Sequence, residues 1–344
     1  MSCKKEACIR TITKKSTAKC NLDLYTWYLI AESKYPGCNR LAEMFEGLSH
    51  DSVNRFLLRE SYEPIDLFNE VKQYIELIGG TLSIDDTVIE KLYSNPKLSE
   101  FISYFWSGNK HKTLKGINLI TLFYTDPNGV SVPLNYRLYQ KGDNLSKNDY
   151  FRLMLSEVLD WGVRPTYVTG DSWYSSKENL KFLRKQKLGV MMGIAKNRQV
   201  SIIKGQYQSV ESLEIGEDGT IVYLKEFGEV KVFKKHFKND IVRFYILFSQ
   251  DNQDLNEADK TIFIQVKATH WGIETYHRAL KQLCGINKFI VRKSEAVLTH
   301  FFSSLRAFIK LELMRARDLI DNWYQLQREI SLEVNRDFIL EHLT

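Results

Sequence analysis

"TLSIDDT" (residues 81–87) is the stretch on which the fold turns. Before it the chain reads as helices. From it onward, β-branched and apolar runs alternate with turn signals. The run itself is a short strand that ends in acids. "KGINLITLFYT" (115–125) and "VSVPLNYRLY" (130–139) follow as apolar strands joined by "DPNG", whose Asp, Pro and Gly suit a tight turn. A helix is predicted over 147–160, then "TYVTGDSWY" (166–174), another strand ending in an acid. Ser175 and Glu178 form a capping box for a helix over 176–187. "LGVMMGIA" (188–195) reads as a buried strand. The order β-β-β-α-β-α-β is a hairpin pair followed by crossover units. It predicts an α/β fold, a mixed five-stranded sheet flanked by helices.

Working outward, residues 22–80 are helical. "CNRLAEMFEGLSHDSVNRFLLRE" (38–60) reads as two short helices joined at Gly47-Leu48, with Ser49 capping the second. Leu41, Met44, Phe45, Val53, Phe56 and Leu57 are spaced to pack together. As a helix-turn-helix, the pair would present His50, Asp51, Asn54 and Arg55 to DNA; a plain helical hairpin has the same pattern. Residues 197–260 break the α/β rhythm with strand-like runs and Gly/Asp turns, a β-rich insertion. A long helix is predicted over about 257–283, and the tail 294–344 is helical. The expected divisions are 1–80, a helical DNA-binding region; 81–196 with 261–293, the catalytic domain; 197–260, the insertion; and 294–344, a helical C-terminal segment.

The 344 residues, 44% hydrophobic and 26% charged, exclude a disordered chain and suggest about two domains. No apolar run approaches the roughly 18 residues that cross a bilayer, so no membrane partner is expected. The first twenty residues lack an apolar signal core, which predicts a cytoplasmic protein. Cys3, Cys8, Cys20, Cys38 and Cys284 are an odd set that reads as reduced thiols; the first four lack the close pair of a zinc site. The net charge of +6 is uneven: residues 181–200 carry six Lys/Arg and no acid. Basic blocks of this kind suit a polyanion, although a solvated surface has them too.

Three acids stand where the elements would aim them together. Asp86 ends the first strand, Asp171 ends the fourth, and Glu274 lies in "THWGIETYHRALKQ" (269–282). Buried like charges repel, and divalent cations relieve that repulsion. Oxygen-only ligands select hard ions, Mg²⁺ or Mn²⁺, and two such ions suit in-line phosphoryl displacement. On the long helix Val266, Ile273, Tyr276, Leu280 and Leu283 form an apolar stripe. Lys267, His270, Glu274, Arg278 and Lys281 form another about 100° around, with Trp271 at the border. The second stripe offers a carboxylate among cations that would neutralise phosphates. An i,i+4 ion pair of Glu274 with Arg278 on a solvated face is the plainer reading.

"SIDDT", "VTGDSWYS" and "HWGIETYHRALKQ", in this order, resemble the DDE transposases of bacterial insertion sequences. The nearest type is the IS-four-like superfamily, with an RNase H-like catalytic domain interrupted by a β-rich insertion. The likeness covers about residues 81–290. The family pattern sets a Tyr seven residues before the Glu, an Arg four before and a Lys seven after. Glu274 and Lys281 match; Lys267 stands in the Tyr position and His270 in the Arg position. The resemblance implies catalytic and metal-holding roles for Asp86, which precedes Thr87 as in the family, for Asp171 and for Glu274; Asp85 is the alternative first acid. It implies Mg²⁺, with Mn²⁺ as a substitute. Hydrolysis at transposon terminal repeats would then be followed by joining of the 3′-hydroxyl to target DNA. His270, Arg278 and Lys281 would grip phosphates, joined by Lys267 and Trp271. Lys110, Lys112 and Lys115 of "KHKTLK" (110–115) would line the same groove, and Lys196 and Arg198 in the basic run would track the backbone. Members that form a DNA hairpin stack a flipped base on an insertion Trp; here Tyr207, Tyr223, Phe227 or Phe233 would have to serve. A homodimer on double-stranded DNA in the nucleoid is the implied assembly. The competing readings are a catalytically inactive DNA-binding regulator and a related metal-dependent nuclease.

Overall fold

A computed structural model describes residues 19–32, 34–108, 110–238, 240–250 and 252–342. Cys3, Cys8 and the basic segment before residue 19 lie outside the described residues. Four helices come first: α1 (Leu22–Ala31), α2 (Cys38–Met44), α3 (His50–Arg59) and α4 (Pro64–Val71). The Ser49 hydroxyl caps α3 by accepting from the Ser52 amide. Gly47, with φ of 74°, makes the turn between α2 and α3 that a side chain would strain.

The strands follow as β1 (Thr81–Glu90), β2 (Ile102–Ser107), β3 (Lys112–Thr125) and β4 (Ser131–Leu138). Asp126 builds the predicted turn between β3 and β4: its carboxylate accepts from the Asn128 and Val130 amides at 2.9 and 2.8 Å. Next come α5 (Lys147–Asp160), β5 (Tyr167–Gly170), α6 (Lys177–Lys185) and β6 (Gly189–Ile194). The N-cap of α6 is Ser176, which accepts from the Asn179 amide; Ser175 instead donates to the Ser172 carbonyl, inside the turn that leaves β5. The capping box predicted for Ser175 and Glu178 does not form: the cap is the next residue, Ser176, and its N3 partner Asn179 turns its side-chain amide to Asn148 and the Tyr174 carbonyl instead.

β1 pairs antiparallel with β3 and parallel with β5, and β5 pairs parallel with β6. β4 pairs with the far half of β3. These are the five expected strands, in the order β4-β3-β1-β5-β6. The short β2 shares that edge of β3 with β4, pairing with its first half.

The sheet does not end at β6. The segment after it supplies β7 (Gln199–Ser201), β8 (Gln208–Ser209), β9 (Thr220–Leu224), β10 (Gly228–His236) and β11 (Val242–Phe248). β11 pairs antiparallel with β6, so one sheet of eleven strands runs through both. An apolar strand such as β6, with a free edge, would leave a row of backbone donors and acceptors unpaired. β11, equally apolar, covers that edge.

The chain then forms α7 (Asn252–Glu257), α8 (Lys260–Leu283), α9 (Ser294–Ala316) and α10 (Gln325–His342). α8 lies over β1, β5, β6 and β3, while α5 packs on β3 and β4 and α6 on β6. Successive residues of β1 reach different helices, which puts α8 and α5 on opposite faces. The N-terminal helices are tied to α9. Tyr25 meets His300 at 2.9 Å, and Arg306 pairs with both Glu70 and Asp23. Among the described residues, no helix is long and apolar enough to cross a membrane.

Candidate active site

The strand period of two decides what β1 offers. Asp85 and Asp86 are neighbours, so their side chains leave by opposite faces. Asp86 faces α5. Its carboxylate takes Lys147 Nζ at 2.7 Å, Asn118 Nδ2 at 2.6 Å and the Tyr174 hydroxyl at 3.0 Å, which satisfies it with a cation and two neutral donors. Asp85 faces α8. Its Oδ2 lies 3.5 Å from His277 Nδ1, and its Oδ1 accepts from the Asp86 amide at 2.8 Å. Burial works to raise the Asp85 carboxyl, but His277 and then His270 outweigh it and hold it below the ordinary range.

The sequence places Asp86 in the site. The side chains show instead that the acid facing Glu274's helix is Asp85, the alternative, with Asp86 in a closed salt bridge on the other face.

Asp171 follows the end of β5 and keeps an exposed rim. Burial first, then the charges of Asp85 and Asp86, push its carboxyl up to about 6, against the Trp173 and Tyr174 amides. Glu274 is raised in the same way, by burial and then by Asp85, with Lys267, Arg243 and His277 opposing. Asp85 is therefore the acid whose field reaches both of the others.

α8 carries the rest. The expected apolar positions Val266, Ile273, Tyr276, Leu280 and Leu283 are all buried. The polar stripe runs through Lys267, His270, Glu274, His277 and Lys281, and it meets the sheet at three heights. His270 Nδ1 lies 3.2 Å from Thr169 Oγ1, which bonds Ser83; His277 reaches Asp85; Lys281 Nζ donates to Thr87 Oγ1 at 2.6 Å. Burial pushes His270 down to about 4, assisted by Lys267 and His277 and resisted by Asp85. Burial also lowers Lys281 and Lys267. Lys267 rests over the Tyr245 ring at 4.4 Å. The sequence pattern puts Arg278 in this stripe; it is exposed one position round, and no ion pair joins it to Glu274 among the described residues. Trp271 is 54% exposed. His277 escaped the sequence reading, although it sits seven residues after His270, where a helix returns to the same face.

The other predicted contacts spread further. Lys110 pairs with Glu90 and lies within the electrostatic reach of Lys281, which brings the loop before β3 toward the end of the stripe. Lys112 is exposed and Lys115 half-buried at the start of β3. Lys196 pairs with Glu211 at 3.5 Å, and Arg198 is half-buried beyond β6. Asn54 is half-buried and accepts from Cys38, while Arg55 Nε is buried without a partner among the described residues. These two sit on α3 among the N-terminal helices, apart from the acids. Of the insertion aromatics, Phe227 and Phe233 are core residues, the latter stacked on Phe263 at 4.8 Å. Neither can receive a base. Tyr223 is half-buried; Tyr207 and Phe237 are exposed beside cations, Tyr207 with Lys225 at 5.8 Å and Phe237 with Lys235 at 5.5 Å and Arg243 at 5.2 Å from the ring.

Three carboxylates that raise or counter one another are a donor set for a hard divalent cation, and such an ion would reverse the repulsion felt by Asp171 and Glu274. Among the described residues, no three His, Cys, Asp or Glu side chains close on one point at ion-holding distance. The fit lies in the chemistry of the acids and in Asp85 acting on each of the other two, not in a closed cage.

A family model described as a transposase DDE domain matches residues 79–309, from just before β1 into α9. The chain is similar in fold to a piggyBac transposase synaptic complex with hairpin DNA. The identity is 14% and the TM-score 0.52, over 94% of this chain and 73% of that one. Smaller likenesses are to a Drosophila P element transposase strand transfer complex, at 10% identity and TM-score 0.30 over 56% and 48% of the two chains. A pre-cleavage Mos1 transpososome matches at 13% identity and TM-score 0.20 over 52% and 61%. At those scores the last two carry no argument. No curated protein matches.

Proposed function

The chain belongs to the family of DDE transposases, and from that premise we propose that Asp85, Asp171 and Glu274 are its catalytic acids. The observation that carries this reading is the division of labour on β1. Asp85 faces α8, where His277 meets it at 3.5 Å, and its charge acts on both Asp171 and Glu274, whereas Asp86 pairs with Lys147 on the other face and its charge acts on Asp171 without Glu274. DNA is the partner, and the enzyme cleaves it and transfers strands.

The substrates are the terminal inverted repeats of the element and a target duplex. The family uses divalent ions, here Mg²⁺ with Mn²⁺ as a substitute, which when bound neutralise charge at the attacking and leaving oxygens of the phosphodiester. Asp85, Asp171 and Glu274 hold them. Lys281, steadied on Thr87, grips a phosphate beside the cut, and Lys267 and Trp271 line the approach. Lys110, Lys112, Lys115, Lys196 and Arg198 extend the cationic track, Arg278 stands at its outer edge, and Asn54 and Arg55 belong to end recognition. His270 is half-buried and meets Thr169 at 3.2 Å, so its role is to set the height of α8 rather than to grip DNA. The working unit is a homodimer on two ends, in the nucleoid.

The test uses duplexes carrying the ends that flank the gene, incubated with Mg²⁺ or Mn²⁺. Asp85→Asn abolishes cutting while end binding persists, and Asp86→Asn still cuts. The reverse pattern would return the first acid to Asp86.

A further inference from the structure

We infer that His277 is the positioning residue of Asp85: its imidazole, held inside α8, sets the direction in which that carboxylate presents itself to the divalent ion. This rests on the reading of Asp85 as the first acid.

His277 is 6% exposed, in a stretch where Ile273, Tyr276, Ala279 and Leu280 are all buried and apolar or aromatic. An imidazole taken out of water costs free energy unless it is bonded. Its polar contact is an ion-pair approach to Asp85, with Nδ1 3.5 Å from Oδ2. The ring is packed against Tyr276, with centroids 5.2 Å apart, and Tyr276 in turn is wedged between Phe123 and Phe308. His277 is therefore not free to follow the carboxylate; the carboxylate must come to it. The other oxygen of Asp85 is taken by the Asp86 amide. Both oxygens are thus oriented by groups that cannot move far. Asp171 shows a different solution, with its Oδ1 held by the Trp173 amide of its own loop. Glu274 has neither arrangement, since among the described residues it makes no hydrogen bond or ion pair. Of the three acids, only Asp85 borrows its orientation from a side chain on a different element. His277 Nε2 is buried without a partner among the described residues, so the ring's other nitrogen is not spent on the fold.

Groups that orient a metal-binding side chain change metal affinity about 10–100-fold when removed. The experiment is a calorimetric titration of the full chain with Mn²⁺, alongside thermal melting. His277→Phe keeps an aromatic ring but no donor, and weakens Mn²⁺ binding by about 10–100-fold. His277→Asn sets an amide nitrogen near the place of Nδ1 and restores most of the affinity. His277→Gln sets it near Nε2 and does not. A structural role alone would lower melting temperature in all three without separating Asn from Gln. Unchanged Mn²⁺ affinity in the Phe variant, or equal affinities for Asn and Gln, overturns the inference. If the Phe variant fails to fold, the Asn–Gln comparison decides. Asp85→Asn separates this inference from its premise. If it binds Mn²⁺ as the unaltered chain does, the assignment of Asp85 is what falls, and the inference with it. If it loses Mn²⁺ while the His277 variants do not, the inference alone falls.

Discussion

Asp171→Asn should make the metal-free protein more stable above pH 6 while ending catalysis. The folded chain raises this carboxyl to about 6, against about 3.9 in an unfolded chain. A carboxyl raised by folding binds its proton more tightly in the native state. Between those two values the native state holds more protons, so stability falls as pH rises. The destabilisation is absent below about pH 4 and complete above about pH 6. Two pKa units correspond to a ceiling of about 3 kcal/mol. Asp171 keeps an exposed rim, so solvent screening reduces this to about 1 kcal/mol. For a chain of 344 residues, an unfolding entropy of about 2.1 cal/mol/K per residue converts that to about 1–2 °C. Asparagine preserves the oxygen that accepts from the Trp173 amide, so the local turn survives. The assay is thermal melting by circular dichroism in EDTA at pH 4.5, 5.5 and 7.5. The melting temperature of the variant minus that of the unaltered chain should climb across the series and level off near pH 7. Adding Mn²⁺ at pH 7.5 should raise the unaltered chain above the variant. A difference that stays flat with pH, or an asparagine variant that is less stable at pH 7.5, would refute the claim that Asp171 is held among like charges.

Glu312 is fully buried and accepts from the Ser131 amide, from Arg315 and from the Trp323 indole. Truncating it to alanine strands those donors and should cost about 3–5 kcal/mol, visible as a lower melting temperature. Lys281→Met should weaken end-DNA binding and reduce the slope of log affinity against log salt by about 0.9, the loss of one phosphate contact in a salt titration. A Cβ on Gly116 would lie 2.2 Å from the Ile89 carbonyl oxygen. Gly116→Ala should therefore force β1 and β3 apart and lower stability by about 1–3 kcal/mol, measured by denaturant unfolding.

The strand pattern was legible because it rests on local signals. Apolar runs of strand length, the Asp126-Gly129 turn and the cap at Ser49 act over a few residues each, and they yield five strands and their helices. The acids at strand ends were legible for the same reason. What could not be read was which of two adjacent aspartates faces which layer. That choice depends on α8 lying on one face and Lys147 of α5 on the other, contacts separated in sequence by well over a hundred and by sixty-one residues respectively. A similar one-residue ambiguity hid His277. From Glu274 the helix returns near 277 and 278 alike, and charge favoured Arg278; packing against β1 selects 277. The aromatic residues of the insertion posed the same problem. Phe233 and Phe237 look alike in a string and share a strand's parity; Phe233 lies within β10 under Phe263 of α8, whereas Phe237 falls one residue past the strand's end, beside Lys235 and Arg243.

The attachment of the insertion bears directly on the third acid. On β11, Phe244 and Ile246 join the main core, while Tyr245 and Leu247 turn to the other side and pack with Phe263 and Val266 of α8. Phe233 of β10, Met191 of β6, Leu255 of α7 and Ala258 also belong to that smaller cluster. The first half of α8 is therefore seated on insertion strands and the second half, from Ile273 onward, on the main core. Glu274 stands at the junction, with Lys267 resting on Tyr245 one side of it and His277 meeting Asp85 on the other. A helix supported at only one end would let this long, unpartnered side chain drift away from the aspartates. An insertion that merely hung from the domain could be removed with the triad intact. Here its removal would strip the apolar seat from the first turns of α8, and with it the constraint that keeps Glu274 in the field of Asp85.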